Sequence, residues 1–184
     1  LDFESYKALV KGLTAFGDRE QGTPRNAAAN DWIEAQLRSW GYTTERIRYE
    51  HEGMPREQVF ATKVGRTVPG EMYIIGGHMD GRGGGEAAND DGSGTALVME
   101  IARVLASPEI ETARSIRFAL WNNEETGLQG AQAYVDQVAV PHQPVLAVAR
   151  ILVQRHIRDQ PDLRHGALDG IKRPGHQTIW IIGF

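Results

Sequence analysis

Two short apolar runs bracket an amphipathic stretch in the middle of this 184-residue chain, and together they limit its fold more than any other feature. Residues 71–76 (EMYIIG) and 115–121 (SIRFALW) have the character of strands buried on both faces. Residues 95–106 (TALVMEIARVLA) place apolar side chains at helical spacing. Strand, helix and strand in that order predict an α/β domain with a mixed, mostly parallel sheet.

The flanking sequence extends this pattern. Residues 1–20 read as a helix with Phe3, Tyr6, Leu9, Val10 and Leu13 on one side, broken at Gly17-Asp18-Arg19. Thr23-Pro24 is a helix-start signal. Trp32, Ile33, Leu37 and Trp40 then keep a helical period, with Gly41 at the C′ position. Residues 42–49 and 58–64 have strand character, Pro69-Gly70 reads as a turn, 81–90 as a glycine-rich loop and 127–138 as a helix. Near residue 139 the composition changes. All 14 glutamates lie before Thr126, whereas residues 139–184 hold four of the six histidines and four of the eight prolines. The chain therefore divides into an α/β core, 1–138, and a differently built tail, 139–184, in which 151–153 and 179–182 have strand character. The first residue is Leu1, not Met, which reads as a processed or partial sequence.

A net charge of -4 argues against nucleic acid as a main partner, and no apolar run approaches the length of a membrane span. With no cysteine, any metal must sit on His, Asp and Glu. Three polar clusters offer those residues at element ends: His78-Met79-Asp80, then Asn89-Asp90-Asp91-Gly92-Ser93-Gly94, then Asn122-Asn123-Glu124-Glu125. His78 and the Glu pair follow the two apolar strands, at the sheet edge where open α/β sheets bind ligands.

Each cluster has a plain alternative. His78 reads as a metal ligand steadied by Asp80, or as a surface histidine beside a capping Asp. Asp90 and Asp91 read as one metal-bridging carboxylate and one helix cap, or as an ordinary N-cap turn. Glu124 and Glu125 read as one ligand and one general base, or as two solvated loop acids. Glycines at 83–85, 92 and 94 also suggest a phosphate loop, but the Gly-Lys-Ser/Thr ending is missing and paired acids repel phosphate. The three clusters in order along one sheet favour a hydrolytic metal site.

The stretches GGHMDG (76–81), AANDDGSGTA (87–96) and ALWNNEETGLQGA (119–131) resemble the zinc-dependent exopeptidases of the bacterial leucyl aminopeptidase and aminopeptidase S type. GDREQGTPRN (17–26) is similar to that family's N-terminal pattern, and the resemblance covers about residues 1–138. It implies a three-layer fold with a mixed central sheet between helices, incomplete here at the C-terminal end. It implies that His78 binds one zinc, Asp90 bridges two, Glu125 binds the other, Glu124 is the general base, Asp80 orients His78 and Asp91 is structural. The implied reaction is removal of N-terminal residues from peptides, in a secreted or periplasmic setting. The resemblance also implies an Asp and a His beyond the Glu pair, for which Asp159, His156, His165 and His176 are the candidates. Other readings are a carboxypeptidase or glutaminyl cyclase of the same superfamily, or a non-catalytic binding protein on this fold.

Overall fold

The computed structural model describes residues 1–139 and the strand at 179–183. Helix α1, Phe3–Thr14, begins where the Asp2 carboxylate accepts the Ser5 N–H at 2.7 Å, and it buries Leu9 and Leu13. Helix α2, Pro24–Ser39, starts on Thr23 as N-cap with proline in its first turn, as the Thr23-Pro24 pair predicts. It buries Ala29, Ile33 and Leu37 and stops before Gly41, whose φ of +92° a side chain disfavours. Strands β1, Thr44–His51, and β2, Met54–Lys63, form a hairpin through Glu52 and Gly53, both at positive φ.

Strand β3, Val68–His78, helix α3, Ser93–Leu105, and strand β4, Arg114–Trp121, make up the strand–helix–strand unit. Helix α4, Gln129–Tyr134, continues into one wide turn at Val135–Ala139, and β5 is Ile179–Gly183. Sheet order is β1-β2-β4-β3-β5. β1–β2 and β2–β4 are antiparallel, while β4–β3 and β3–β5 are parallel. The sheet is therefore mixed, and its parallel part carries the predicted site.

Alternation along the strands sends side chains into two cores. Val59, Ala61, Phe118 and Leu120 pack under Leu9, Leu13, Ile33, Leu37, Val98 and Met99, from α1, α2 and α3. On the other face Ile47, Phe60, Ile74 and Ala119 meet Tyr134 of α4. Helices on both faces give the three layers. Arg117, inside an apolar strand, is tolerated because its guanidinium donates to Tyr134 Oη at 3.1 Å and Glu45 at 2.7 Å.

Two expectations change. Pro69-Gly70 is not a turn but lies inside β3, where the register with β4 shifts between Val68 and Met72. Proline has no N–H for the ladder, and the Pro69 carbonyl instead accepts from Ser115 Oγ at 2.8 Å. The helix expected at 127–138 begins at Gln129, because Gly127 (φ +104°) and Leu128 (φ +63°) are left-handed, and its regular part ends at Tyr134. The strand expected at 151–153 lies outside the described residues, whereas that at 179–182 corresponds to β5.

Phe118 is fully buried with its ring edge-on to Tyr42 at 5.5 Å. Phe118→Ala is expected to lower the unfolding free energy by about 3–5 kcal/mol in chemical denaturation; a loss below 1 kcal/mol would mean that this core is not packed as described. Glu100 is fully buried and accepts from Arg103 Nε at 2.7 Å and from the Asp2 N–H at 2.7 Å. The Arg103 guanidinium, with the Asp2 N–H adding to it, holds the Glu100 carboxyl below its ordinary value. Its contribution is present above the unfolded-state carboxylate pKa and is lost as pH falls through the lower folded value. Glu100→Gln is expected to lower the melting temperature at pH 7, with the gap closing on acidification; a gap that widens in acid would refute the sign.

Candidate metal centre

Register fixes where the site forms. His78 pairs with Trp121 at the ends of parallel β3 and β4, and the Met79 N–H donates to the Trp121 carbonyl at 2.8 Å. The residues after both strands therefore leave the sheet at one edge. His78-Met79-Asp80 follows β3 and Asn122-Asn123-Glu124-Glu125 follows β4. The turn before α3 brings Asp90 and Asp91 to the same place.

Asp80, fully buried, joins the two strand ends. One carboxylate oxygen accepts the Glu124 N–H at 3.2 Å and the other the Glu125 N–H at 3.3 Å. The expected contact of this carboxylate with the His78 ring is longer, at 3.6 Å; the Asp80 backbone carbonyl is nearer Nδ1, at 3.1 Å. A carbonyl can only accept, so Nδ1 carries a proton and Nε2 is the atom turned to the acids. Asp91 has the structural part that the resemblance implies. Its carboxylate accepts the His78 N–H at 3.0 Å and the Gly94 N–H at 2.9 Å, tying the end of β3 to the first turn of α3. A Cβ on Gly94 would overlap that carboxylate, which is why a glycine stands there.

His78, Glu124 and Glu125 offer ligand atoms within 4.8 Å of one another. Asp90 reaches His78 Nε2 from the solvent side at 3.1 Å, with 58% of its side chain exposed. Glu124 approaches Nε2 at 3.7 Å. The four acids and imidazole expected at the site thus meet at one edge, with Glu124 rather than Asp90 in the tightest group. Burial alone would lower the His78 pKa, but Asp80, Asp91 and Glu124 outweigh it and raise it to about 9. Burial, reinforced by Glu125, Asp80 and Asp90, raises the Glu124 carboxyl.

Glu125 supplies the test of fit for a cation. Only 6% of its side chain is exposed, Oε2 accepts from Arg82 Nε at 2.7 Å, and Oε1 is buried without a hydrogen-bond partner. A buried carboxylate oxygen without a donor is costly. With one imidazole nitrogen and several carboxylates converging, the donor set suits zinc. Asp159, His156, His165 and His176 lie outside the described residues.

Three supports escape the sequence reading. Asn122 and Asn26 exchange amide hydrogen bonds at 3.0 Å in each direction, anchoring the turn before Glu124 to α2. Arg82, an exposed residue of the glycine loop, pairs with Glu125. Arg19 donates only to backbone carbonyls, three of them far along the chain. The sequence signals for these were Arg19 and Asn26 within GDREQGTPRN and Asn122 within the third polar cluster. In Asp80→Asn the amide would turn N–H toward N–H at Glu124 or Glu125. Zinc affinity by calorimetry is expected to fall about 10–100-fold; unchanged affinity would show that the Asp80 bridge does not shape the site.

Comparison with known proteins shows the family. Residues 58–154 match the model of Peptidase family M28. A probable zinc metalloprotease of Pyrenophora tritici-repentis is 30% identical over 155 residues, covering 70% of this chain and 32% of that protein. A probable lipoprotein aminopeptidase of Mycobacterium tuberculosis is 35% identical over 102 residues, covering 54% and 20%. The structure of Porphyromonas gingivalis glutaminyl cyclase superposes with a TM-score of 0.61 at 25% identity, covering 76% of this chain and 55% of that one. The chain spans about a third of the length of the curated relatives it matches. By its match over more than half its length, and with strand-end acids gathered as described, the chain belongs to peptidase family M28.

Proposed function

We propose that this chain carries the core of a zinc aminopeptidase, which hydrolyses the first peptide bond of substrates with a free N-terminus. The observation that carries the reading is the buried, partnerless Oε1 of Glu125, a residue whose carboxylate gathers with His78 and Glu124. His78, Asp90 and Glu125 are assigned as the residues that would hold zinc. Zinc held there supplies Lewis-acid chemistry, drawing electron density from a peptide carbonyl and acidifying water. Glu124, half-buried, is assigned as the base: its carboxylate takes the proton of the attacking water and returns it to the departing amine. Asp80, through the Glu124 and Glu125 N–H groups, keeps base and ligand side by side. Residues 1–138 are assigned as the α/β core and 139–184 as a tail segment, which contributes β5 to the edge of the sheet.

The likeness to a glutaminyl cyclase structure supports a second reading, in which the same base and metal serve intramolecular attack of an N-terminal amine. The two differ in products. A peptidase releases a free amino acid, whereas a cyclase releases ammonia from an N-terminal glutamine and leaves the peptide uncut. The partners proposed are peptides. Among the described residues no helix is long and apolar enough to cross a membrane. A secreted or periplasmic setting is also proposed, supported by the lipoprotein relative.

The test loads the chain with zinc and follows an aminoacyl chromophore, its N-blocked analogue and a glutaminyl peptide. Two zincs per chain and cleavage of the free-amine substrate alone are expected. Ammonia from the glutaminyl peptide without cleavage would replace the peptidase by the cyclase, and no zinc at saturation would leave a non-catalytic binding protein. Glu124→Gln is expected to lower turnover about 10²–10⁴-fold while zinc is retained; undiminished turnover would refute the base assignment.

A further inference from the structure

We infer that Arg19 is a positioning residue that sets the separation between the ligand-bearing end of β3 and the loop that carries Asp90. Its side chain is fully buried, yet its hydrogen bonds go to no carboxylate. Nε donates to the Met79 carbonyl at 2.7 Å. Nη1 is shared among the carbonyls of Leu13 (3.2 Å), Gly17 (2.7 Å) and Glu86 (2.9 Å), and Nη2 donates to that of Ala87 at 2.8 Å. One planar fork thus meets three segments: the end of α1, the strand end between His78 and Asp80, and the exit of the glycine loop.

A buried cation is costly, and aliphatic packing would stabilise the fold at least as well. The guanidinium does what an aliphatic side chain cannot, by donating to five carbonyls from one rigid fork. Asp18, Asp80 and Asp91 offset the charge from farther away. Its own placement is secured in turn, because Asn26 Nδ2 donates to the Arg19 carbonyl at 2.8 Å.

The loop needs such an anchor. Gly83 and Gly85 have positive φ, as does Ala87, so the segment has little preference of its own. The Ala87 carbonyl that Arg19 holds also accepts the Gly92 N–H at 3.0 Å, closing the turn around Asp90 and Asp91. Met79 is the neighbour of both His78 and Asp80, and Ala87 stands three residues before Asp90. The contact of His78 Nε2 with Asp90 Oδ1 at 3.1 Å therefore spans two segments held by the same guanidinium.

This inference rests on the metal-centre reading for its functional consequence, and the experiment separates the two. Arg19→Lys keeps the charge and loses the fork. Zinc affinity by calorimetry is expected to fall at least about tenfold. Hydrogen exchange of the amides at 86–92 is expected to quicken while those of β2 and β4 stay protected. Phe118→Ala serves as the destabilised control and is expected to keep its zinc affinity within about threefold, since its ring packs against Tyr42 in the core and makes no hydrogen bond to the site. Equal loss of affinity in both variants, or an unchanged loop in Arg19→Lys, would reduce Arg19 to general stability and overturn the inference. Should Arg19→Lys not fold, exchange in the unmodified chain decides: the Met79 and Gly92 amides must open together as one unit, and independent opening contradicts the clamp. If the unmodified chain binds no zinc, the metal-centre reading fails, and the exchange result still stands or falls alone.

Discussion

The parallel pairing of β3 with β4 is the constraint on which the rest of the structure depends. Parallel strands end at the same edge, so whatever follows His78 and whatever follows Trp121 must meet there. The sheet supplies proximity, but not geometry at the scale of a bond. That comes from the buried Asp80 carboxylate, which spans the two strand ends and accepts the N–H groups of both glutamates. Asp91 does the same between β3 and α3. Two acids are thus spent on backbone, while His78, Asp90, Glu124 and Glu125 point their side chains at one another.

Such an arrangement concentrates negative charge where burial already disfavours it. The raised Glu124 carboxyl and the His78 imidazole, with a pKa of about 9, both register the excess. Arg82 and Arg19 meet part of it, one by direct pairing with Glu125 and the other by its charge at longer range from Asp80 and Asp91. The partnerless oxygen of Glu125 marks what they leave unmet. A divalent cation satisfies that oxygen and the neighbouring acids together, which links the electrostatics of this edge to hydrolytic chemistry.

Much of the fold was legible because it rests on local signals. Apolar runs at 71–76 and 115–121 became the core of β3 and β4, and Thr23-Pro24 and Gly41 bound α2. The ordered clusters around His78, Asp90 and Glu125 were legible for the same reason: each ends or opens a regular element. What stayed hidden depends on backbone geometry or on distant partners. Pro69-Gly70 has turn chemistry, but its place in a strand is decided by the Ser115 hydroxyl. The Asp80 carboxylate serves Glu124 and Glu125 because Asn123 adopts a left-handed turn, with φ of +64°, that no spacing rule announces. Arg19 reaches carbonyls 60 to 68 residues away, and carbonyls leave no trace in residue identity.

The central claim is that these strand ends converge on a cation, and crystallography at the zinc absorption edge tests it most directly. Crystals of the zinc-loaded chain should show one anomalous peak about 2.0–2.2 Å from His78 Nε2 and a second at that distance from a carboxylate oxygen of Glu125. A loaded crystal with no peak at this edge, or with its peaks only on surface histidines, would contradict the account.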